Sequence, residues 1–474
     1  MYDVLIIGGG VTGAACLREL SRYRLKVALI EKENDIACGA SRANSGIIHA
    51  GYDCVPGTQK ARFNVEGSRM FPALVKEFGI PYRNIGSLVV GRAGSEDEIR
   101  TLYERGIKNS VRVEIVDRKR IEEIDPGIAP DMVVGLFAED AAVISPYKFN
   151  IALADHAVIN GAEVFTDAKA LKIDHDGNAF TVHTPRGEFY AKVIINAAGA
   201  GAARVSALAG GEPYQTRHAV GEYYILDNSE KDEVKTVVFP LPDELGKGIL
   251  VAPTADGNII LGPTAITRED SEDVSVSREG LARVRAGALK VFKPMNLRKV
   301  IRVFGGMRST CGHDFIIEES ASRPGLINLV GVCSPGLSSS PAIAVYVAEL
   351  VKNIIPAEEK TEFLPYVKQK RFTELSKEEL NELVKKDSRW GRLICRCEKV
   401  TEAEIVAAVH SPVPAVTVDA VKKRVRAGMG RCQGSFCGIK VMEIISRELD
   451  IPFSAVKKGG KDSQIAVLKI KEEL

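Results

Sequence analysis

The hydrophobic pattern opens with an apolar run entered through Asp3 and ending at Ile7. The glycines from Gly8 to Gly13 break it, Ala14 to Tyr23 carries a helical period, and Lys26 to Ile30 reads as a second buried strand. That is one βαβ unit. Farther on, Phe189 to Ala197 forms another apolar strand ending in Ala198-Gly199, and Leu326 to Val332 forms a third ending in a glycine and proline loop. Parallel strands that feed loops at their C-terminal ends place ligands there.

Between these pieces the pattern changes. Tyr214 to Leu226, Lys247 to Pro253 and Asn258 to Gly262 alternate or are rich in β-formers, with turns such as Asp256-Gly257-Asn258, which predicts an antiparallel sheet. From Ala357 to Lys386 the chain is charged, lacks glycine and reads as helical, and Trp390 then leads into paired cysteines. The expected class is α/β. A Rossmann-like dinucleotide domain covers 1–75, 140–213 and 300–356, and an antiparallel β-rich substrate domain over 76–139 and 214–299 is interleaved with it. A helical linker spans 357–389, and a small helical cysteine domain spans 390–474.

With 474 residues, 45% of them apolar and 27% charged, the chain has the composition of a globular protein large enough for two or three folded units. A net charge of +2 gives no field favouring nucleic acid. The short basic run Val421-Lys422-Lys423-Arg424-Val425-Arg426 reads as a solvated helix face. The acid at position 3 and the early glycines do not suit a signal peptide. The uncharged run from Leu326 to Ala348 holds Gly331, Pro335, Gly336 and Pro341, so it reads as strand, loop and helix start rather than a membrane span. A cytoplasmic protein with reduced thiols is expected, and peripheral membrane attachment stays open.

Gly8-Gly9-Gly10-Val11-Thr12-Gly13 fits G-x-G-x-x-G directly after a strand and at the start of a helix. Gly8 makes the tight turn, Gly10 admits a pyrophosphate, and Gly13 lets helix and strand pack. Val11 and Thr12 begin a helix whose free N–H groups face the phosphates, and Glu31 ends the second strand where ribose hydroxyls would sit. The motif alone leaves FAD and NAD both open. The later Gly199-Ala200-Gly201-Ala202-Ala203-Arg204 lacks the last glycine and a following acid, so it makes a poor NAD site.

The small polar segment Cys38-Gly39-Ala40-Ser41-Arg42-Ala43-Asn44-Ser45-Gly46-Ile47-Ile48-His49-Ala50-Gly51 resembles the D-amino-acid oxidase superfamily of flavoproteins. So do Asn196-Ala197-Ala198-Gly199, Phe304-Gly305-Gly306-Met307-Arg308 and the stretch from Gly331 to Ala342. The resemblance covers most of 1–350 and implies FAD. It implies contacts from Ser41, Ser45, Gly46, Ile47, Ala198, Gly199, Gly306, Gly336, Leu337 and Ser338, with the helix start after Pro335 at the flavin pyrimidine.

Flavin chemistry needs a base for the substrate proton and a clamp for an anionic group. Arg308 is the expected clamp and His49 the expected base or polariser, with a flavin-contacting role for His49 left open. His218, His313 and Lys247 are substitutes, and Lys247, Tyr223 and Tyr224 are expected to line the substrate pocket. Two branches compete. Ser45 to Gly51 with Pro56-Gly57 and Gly221-Glu222-Tyr223-Tyr224 is similar to L-2-hydroxyglutarate dehydrogenases, whereas the C-terminal extension is similar to large subunits of anaerobic glycerol-3-phosphate dehydrogenase. Asp53 and Cys54 stand where the latter type holds an arginine and a tyrosine for phosphate.

Cys395-Arg396-Cys397 and Cys432-Gln433-Gly434-Ser435-Phe436-Cys437 make two close pairs, and the glycines of Arg426 to Arg431 let backbone N–H groups reach sulfur. The pattern resembles the bacterioferritin-associated-ferredoxin-like domain, which implies a 2Fe-2S cluster, with zinc the alternative for four thiolates. The expectation is therefore an FAD-dependent dehydrogenase that oxidises a secondary alcohol of a small anionic substrate. Glycerol 3-phosphate comes first, ahead of a 2-hydroxy acid or an amine. Electrons leave through the cluster to a second flavoprotein or carrier subunit in a hetero-oligomer. A non-catalytic relay or structural subunit is the reading from a different class.

Overall fold

The computed structural model describes residues 1–241, 248–460 and 462–467. Its first sheet carries the parallel core that the apolar runs predict. Tyr2–Ile7 lies between Val27–Ile30 and Gly187–Asn196, with Glu163–Phe165 outside Val27–Ile30 and Leu326–Val330 outside Gly187–Asn196. All these pairings are parallel. The antiparallel hairpin Lys172–His175 and Phe180–Thr184 and the strand Ile316–Glu319 complete the sheet. One face is covered by helices Val11–Leu20, Pro146–Ile159 and Gly336–Ile354, whose apolar stripes enclose Val4, Ile6, Leu29 and Ile195.

The second sheet has nine strands and is antiparallel except where Val237–Pro240 runs parallel to Ser87–Gly91. Its longest ladder joins Arg217–Leu226 to Val300–Thr310. This corrects the expected division of the chain, which puts 300–310 in the dinucleotide part. The ladder to Arg217–Leu226 claims those residues for the second sheet, and Gly306 approaches the first domain at Ala43. A small third sheet, Ile47–Ile48, Ala142–Ile144 and Tyr82–Asn84, ties the two parts together.

The stretch expected as a helical linker is helical mainly at Lys377–Lys386, started by a capping box on Ser376 and Glu379. Before that helix, the segment carrying Lys360, Phe363, Leu364 and Tyr366 runs as a strap against the first domain. The Leu364 N–H donates to Asn160 Oδ1 at 2.8 Å, His156 Nε2 lies 2.7 Å from the Leu364 carbonyl, and Phe363 lies under the Arg22 guanidinium. The half-buried aromatic anchors Phe363 and Tyr366, together with Pro356 and Pro365, favour an extended strap over a helix.

The cysteine domain consists of the strand pair Leu393–Cys395 and Val400–Thr401 with helices Glu402–Val409, Val418–Val425 and Gly438–Leu449 around a core of Ile405, Val421, Val441 and Ile445. The basic run is the element that docks it, which corrects the solvated-face reading. Arg424 and Lys423 both reach Asp35, while Arg426 bonds Asp256 and Glu398. Lys148 pairs with Asp256 from the other side. The long uncharged run resolves into Leu326–Val330, a loop and Gly336–Ile354, as expected. Among the described residues no helix is long and apolar enough to cross a membrane.

Candidate functional site

The first βα turn builds a phosphate cradle from backbone. Gly8 has φ +116°, a region that favours glycine, and a Cβ on Gly13 would collide with the Gly8 carbonyl. Gly10 caps the helix Val11–Leu20 in extended conformation and contributes no side chain, so the helix opens onto the cavity with free N–H groups. The Val11 N–H already donates to Ser41 Oγ at 2.8 Å. Glu31 accepts from the N–H groups of Gly9 at 2.6 Å and Glu33 at 3.0 Å. Burial pushes its carboxyl up, against the pull of those two donors.

Gly8, Gly10, Val11, Thr12 and Glu31 line a cavity of about 1230 Å³ that continues between the two sheets. Ser41, Ser45, Ile47, Ala198, Gly199, Gly306, Gly336 and Leu337 line it as well. Gly13, Gly46 and Ser338 stand behind the wall. Gly46, at φ +68°, passes close to the Ile144 carbonyl, and Ser338 Oγ accepts the His49 N–H at 2.8 Å. Gly306 lets the strand Val300–Thr310 lie against the Ala43 carbonyl, where a Cβ would collide. The volume, the glycine cradle and the acidic strand end together suit a dinucleotide with a flat ring.

The second sheet supplies His218, Tyr223, Phe239, Leu250 and Arg308 to the same cavity, which His49 lines from the first domain. The His49 ring lies 5.9 Å from Phe239, and Tyr223 stacks on Phe304 at 4.7 Å. Burial pushes the Tyr223 hydroxyl up to about 12, with the nearby Arg308 cation opposing. His218 is held by Ser309 Oγ at 2.8 Å and Thr216 Oγ1 at 3.3 Å.

Tyr224 is a correction to the expected pocket. Strand alternation turns it to the opposite face, where it packs with Leu226 and Leu261. His313 is exposed outside the cavity, its carbonyl accepting from Lys60 Nζ. Lys247 lies outside the described residues. Asp53 and Cys54 also stand away from the cavity wall, their carbonyls accepting from Arg105 and Asn109. The departure at these two positions therefore leaves the cavity lining as it is.

The cysteine domain contributes to this cavity too, which the sequence does not announce. Thr417, Asp419, Lys423 and Gly459 also line the cavity, beside Asn34 and Asp35. No local signal marked them, since a basic helix turn looks the same whether solvated or docked.

The four cysteines gather as two pairs. Cys397 Sγ lies 3.7 Å from Cys432 Sγ, and Cys395 is hydrogen-bonded by the Cys437 thiol. Two thiolates on one tetrahedral metal at ~2.3 Å stand roughly 3.7 Å apart, so each pair suits one metal. Among the described residues no three of the His, Cys, Asp and Glu side chains surround a single-ion position. Two such pairs can hold the two irons of a 2Fe-2S cluster. Cys395 is lowered to about 6, first by the Cys437 thiol and then, against burial, by the N–H groups of Gly428 and Glu398. The N–H groups of Gly434 and Phe436 reach Cys432. Gly430 packs on Cys397 so closely that a Cβ would collide.

Both parts of the chain have counterparts among known proteins. Residues 3–350 match the FAD dependent oxidoreductase family, and residues 393–447 match the BFD-like [2Fe-2S] binding domain. Glycerol 3-phosphate dehydrogenase of Caloramator mitchellensis is 44% identical over the whole of both chains. Glycerol 3-phosphate oxidase of Mycoplasma genitalium is 34% identical over 74% of this chain and 94% of its own. The FAD-bound structure of L-α-glycerophosphate oxidase from Mycoplasma pneumoniae superposes with a TM-score of 0.73 at 30% identity, covering 77% of this chain and 99% of that one. The chain belongs to the FAD-dependent oxidoreductase family and joins that enzyme fold to a BFD-like 2Fe-2S-binding domain.

Proposed function

We propose that the chain oxidises glycerol 3-phosphate to dihydroxyacetone phosphate and exports the electrons through its cluster to a second protein. The observation that carries this reading is Arg308, which the second sheet brings, near Tyr223, to the cavity that His49 also lines. The full-length likeness to a glycerol 3-phosphate dehydrogenase supports it.

Bound FAD supplies a two-electron acceptor over which a substrate C–H bond can be held. Around it, the N–H groups following Gly10 would face the pyrophosphate and Glu31 the ribose hydroxyls. Gly336 and Leu337, at the start of a 19-residue helix, would set its positive end against the ring. Arg308 offers two parallel N–H donors to the substrate phosphate, a match that a lysine lacks. His49 takes the proton from the 2-hydroxyl oxygen as C2 gives up its hydrogen with both electrons. Phe239 packs near the imidazole, and the His49 backbone N–H, donating to Ser338 Oγ, holds that stretch of chain in place.

For the exit, Phe436 is 84% exposed between the ligands Cys432 and Cys437, with Ile439 exposed nearby and Arg431 and Lys440 around them. Such a face suits an electron carrier with an acidic rim. A reducing compartment, the cytoplasm, suits the nine free cysteines. The test is a dye-linked assay comparing glycerol 3-phosphate, L-2-hydroxyglutarate and glycine. The reading stands if kcat/KM for glycerol 3-phosphate exceeds the others by about 100-fold or more, because a site built to hydrogen-bond one polar group rejects analogues that leave it unpaired. A preference for either other compound sinks it.

A further inference from the structure

The wall of the dinucleotide cavity at Glu31 to Asp35 is shared by two domains. Thr417, Asp419, Lys423 and Gly459 of the cysteine domain line it there. The central contacts are made by buried side chains, those of Asp35, Thr417, Lys423 and Arg424. Lys423 is 5% exposed, and its Nζ donates to the Ile36 carbonyl at 2.6 Å and lies 2.8 Å from Asp35. Arg424 holds the other side of Asp35, and the Asn34 amide donates to the Gly459 carbonyl. Gly459 is in turn fixed to the helix Val418–Val425, since the Val418 and Asp419 N–H groups donate to the carbonyls of Lys457 and Lys458.

The clamped loop is the one that shapes the cofactor cradle. Ala37, next to Ile36 and held at φ +53°, donates its N–H to the Gly9 carbonyl at 2.9 Å, and Glu31 accepts the Gly9 N–H. A chain of hydrogen bonds thus runs from Lys423 through Ile36 and Ala37 to the glycine turn. We infer that the cysteine domain forms part of the FAD site: it walls the adenosine end of the cavity, so that docking of this domain and retention of FAD are coupled. The inference rests on the FAD reading and adds to it a second task for the iron–sulfur domain, which is to hold the flavin it serves. By linkage, FAD must tighten the docking by the same factor by which docking tightens FAD.

Two measurements on the full-length chain test this. Amide hydrogen exchange with and without FAD needs no substitution. The expected result is slower exchange on FAD addition at 413–426 as well as at 8–13 and 31–38. The second is FAD release on dilution, followed by the recovery of free-flavin fluorescence, for wild type and Lys423→Met. The expected release is about tenfold faster in the variant, within the usual range of intersite coupling. Protection confined to 8–13 and 31–38, with an unchanged release rate in the variant, overturns the inference while leaving the FAD site intact. A chain that takes up no flavin at all overturns the FAD reading itself, and with it this inference.

Discussion

The Arg424 guanidinium grips both carboxylate oxygens of Asp35, at 3.0 and 3.1 Å, across the boundary between the flavin and cysteine domains. Both residues are buried, and the cations of Arg424 and Lys423 hold the Asp35 carboxyl below its usual range against the effect of burial. Removing one partner of such a pair leaves a buried charge half compensated. Arg424→Met is expected to lower stability by about 3 kcal/mol, and the double variant Asp35→Asn with Arg424→Met to recover part of that loss. Denaturant unfolding of the three proteins checks it; equal losses in the single and double variants would speak against a buried pair.

Asp155 gives the same interface a pH dependence. It accepts the Val413 N–H at 2.9 Å, and burial pushes its carboxyl up from 3.8 to about 6, with Arg424 opposing and Asp35 adding to the rise. A folded-state pKa above the unfolded one means that the contribution is full below the unfolded pKa and is lost as pH rises through 6. Relative to Asp155→Asn, the wild type is expected to lose stability by about 3 kcal/mol between about pH 4 and pH 7. The check is the difference in unfolding free energy between the two proteins at several pH values. A difference that stays flat contradicts the assignment.

Arg308→Lys keeps the charge and removes the planar fork. If Arg308 clamps the substrate phosphate, kcat/KM is expected to fall about 10- to 100-fold while FAD content stays at the wild-type level, the loss corresponding to one charge-assisted hydrogen bond. Steady-state kinetics and the flavin spectrum measure the two separately. Full activity in the variant removes Arg308 from the substrate site.

The paired sulfurs make a stoichiometric prediction. Anaerobically purified protein is expected to hold two iron and two acid-labile sulfide per chain by the pattern of a four-cysteine diiron cluster. Cys432→Ser should lose the iron and keep the flavin, as the contacts of Lys423 and Arg424 with Ile36 and Asp35 that dock the cysteine domain use none of the four sulfurs. One zinc per chain in place of iron contradicts the pairing argument.

How far the sequence reached depended on how local each signal was. Gly8 to Gly13, Glu31 and the two cysteine pairs were legible because their geometry is set within a few residues. Tyr224 was misread because a pair of adjacent strand residues always splits between two faces, and only the fold says which face meets the cavity. The docking role of Lys423 and Arg424 was illegible because Asp35 lies 389 positions from Arg424 in the chain. A charge run has the same composition in water as it has against a buried acid. The strap before Ser376 looked helical by its charge and lack of glycine, but Phe363, Leu364 and Tyr366 found partners on the first domain that no periodicity announces.

The substrate claim is tested most directly by one anaerobic turnover. FAD-loaded full-length protein is mixed with a slight excess of glycerol 3-phosphate, the bleaching of the flavin band is followed, and dihydroxyacetone phosphate is counted in the quenched mixture. The account expects bleaching with about one product molecule per two electrons taken up by flavin and cluster together, since each oxidation removes one hydride and one proton. Bleaching without dihydroxyacetone phosphate, or bleaching only when L-2-hydroxyglutarate replaces the phosphate, would contradict it.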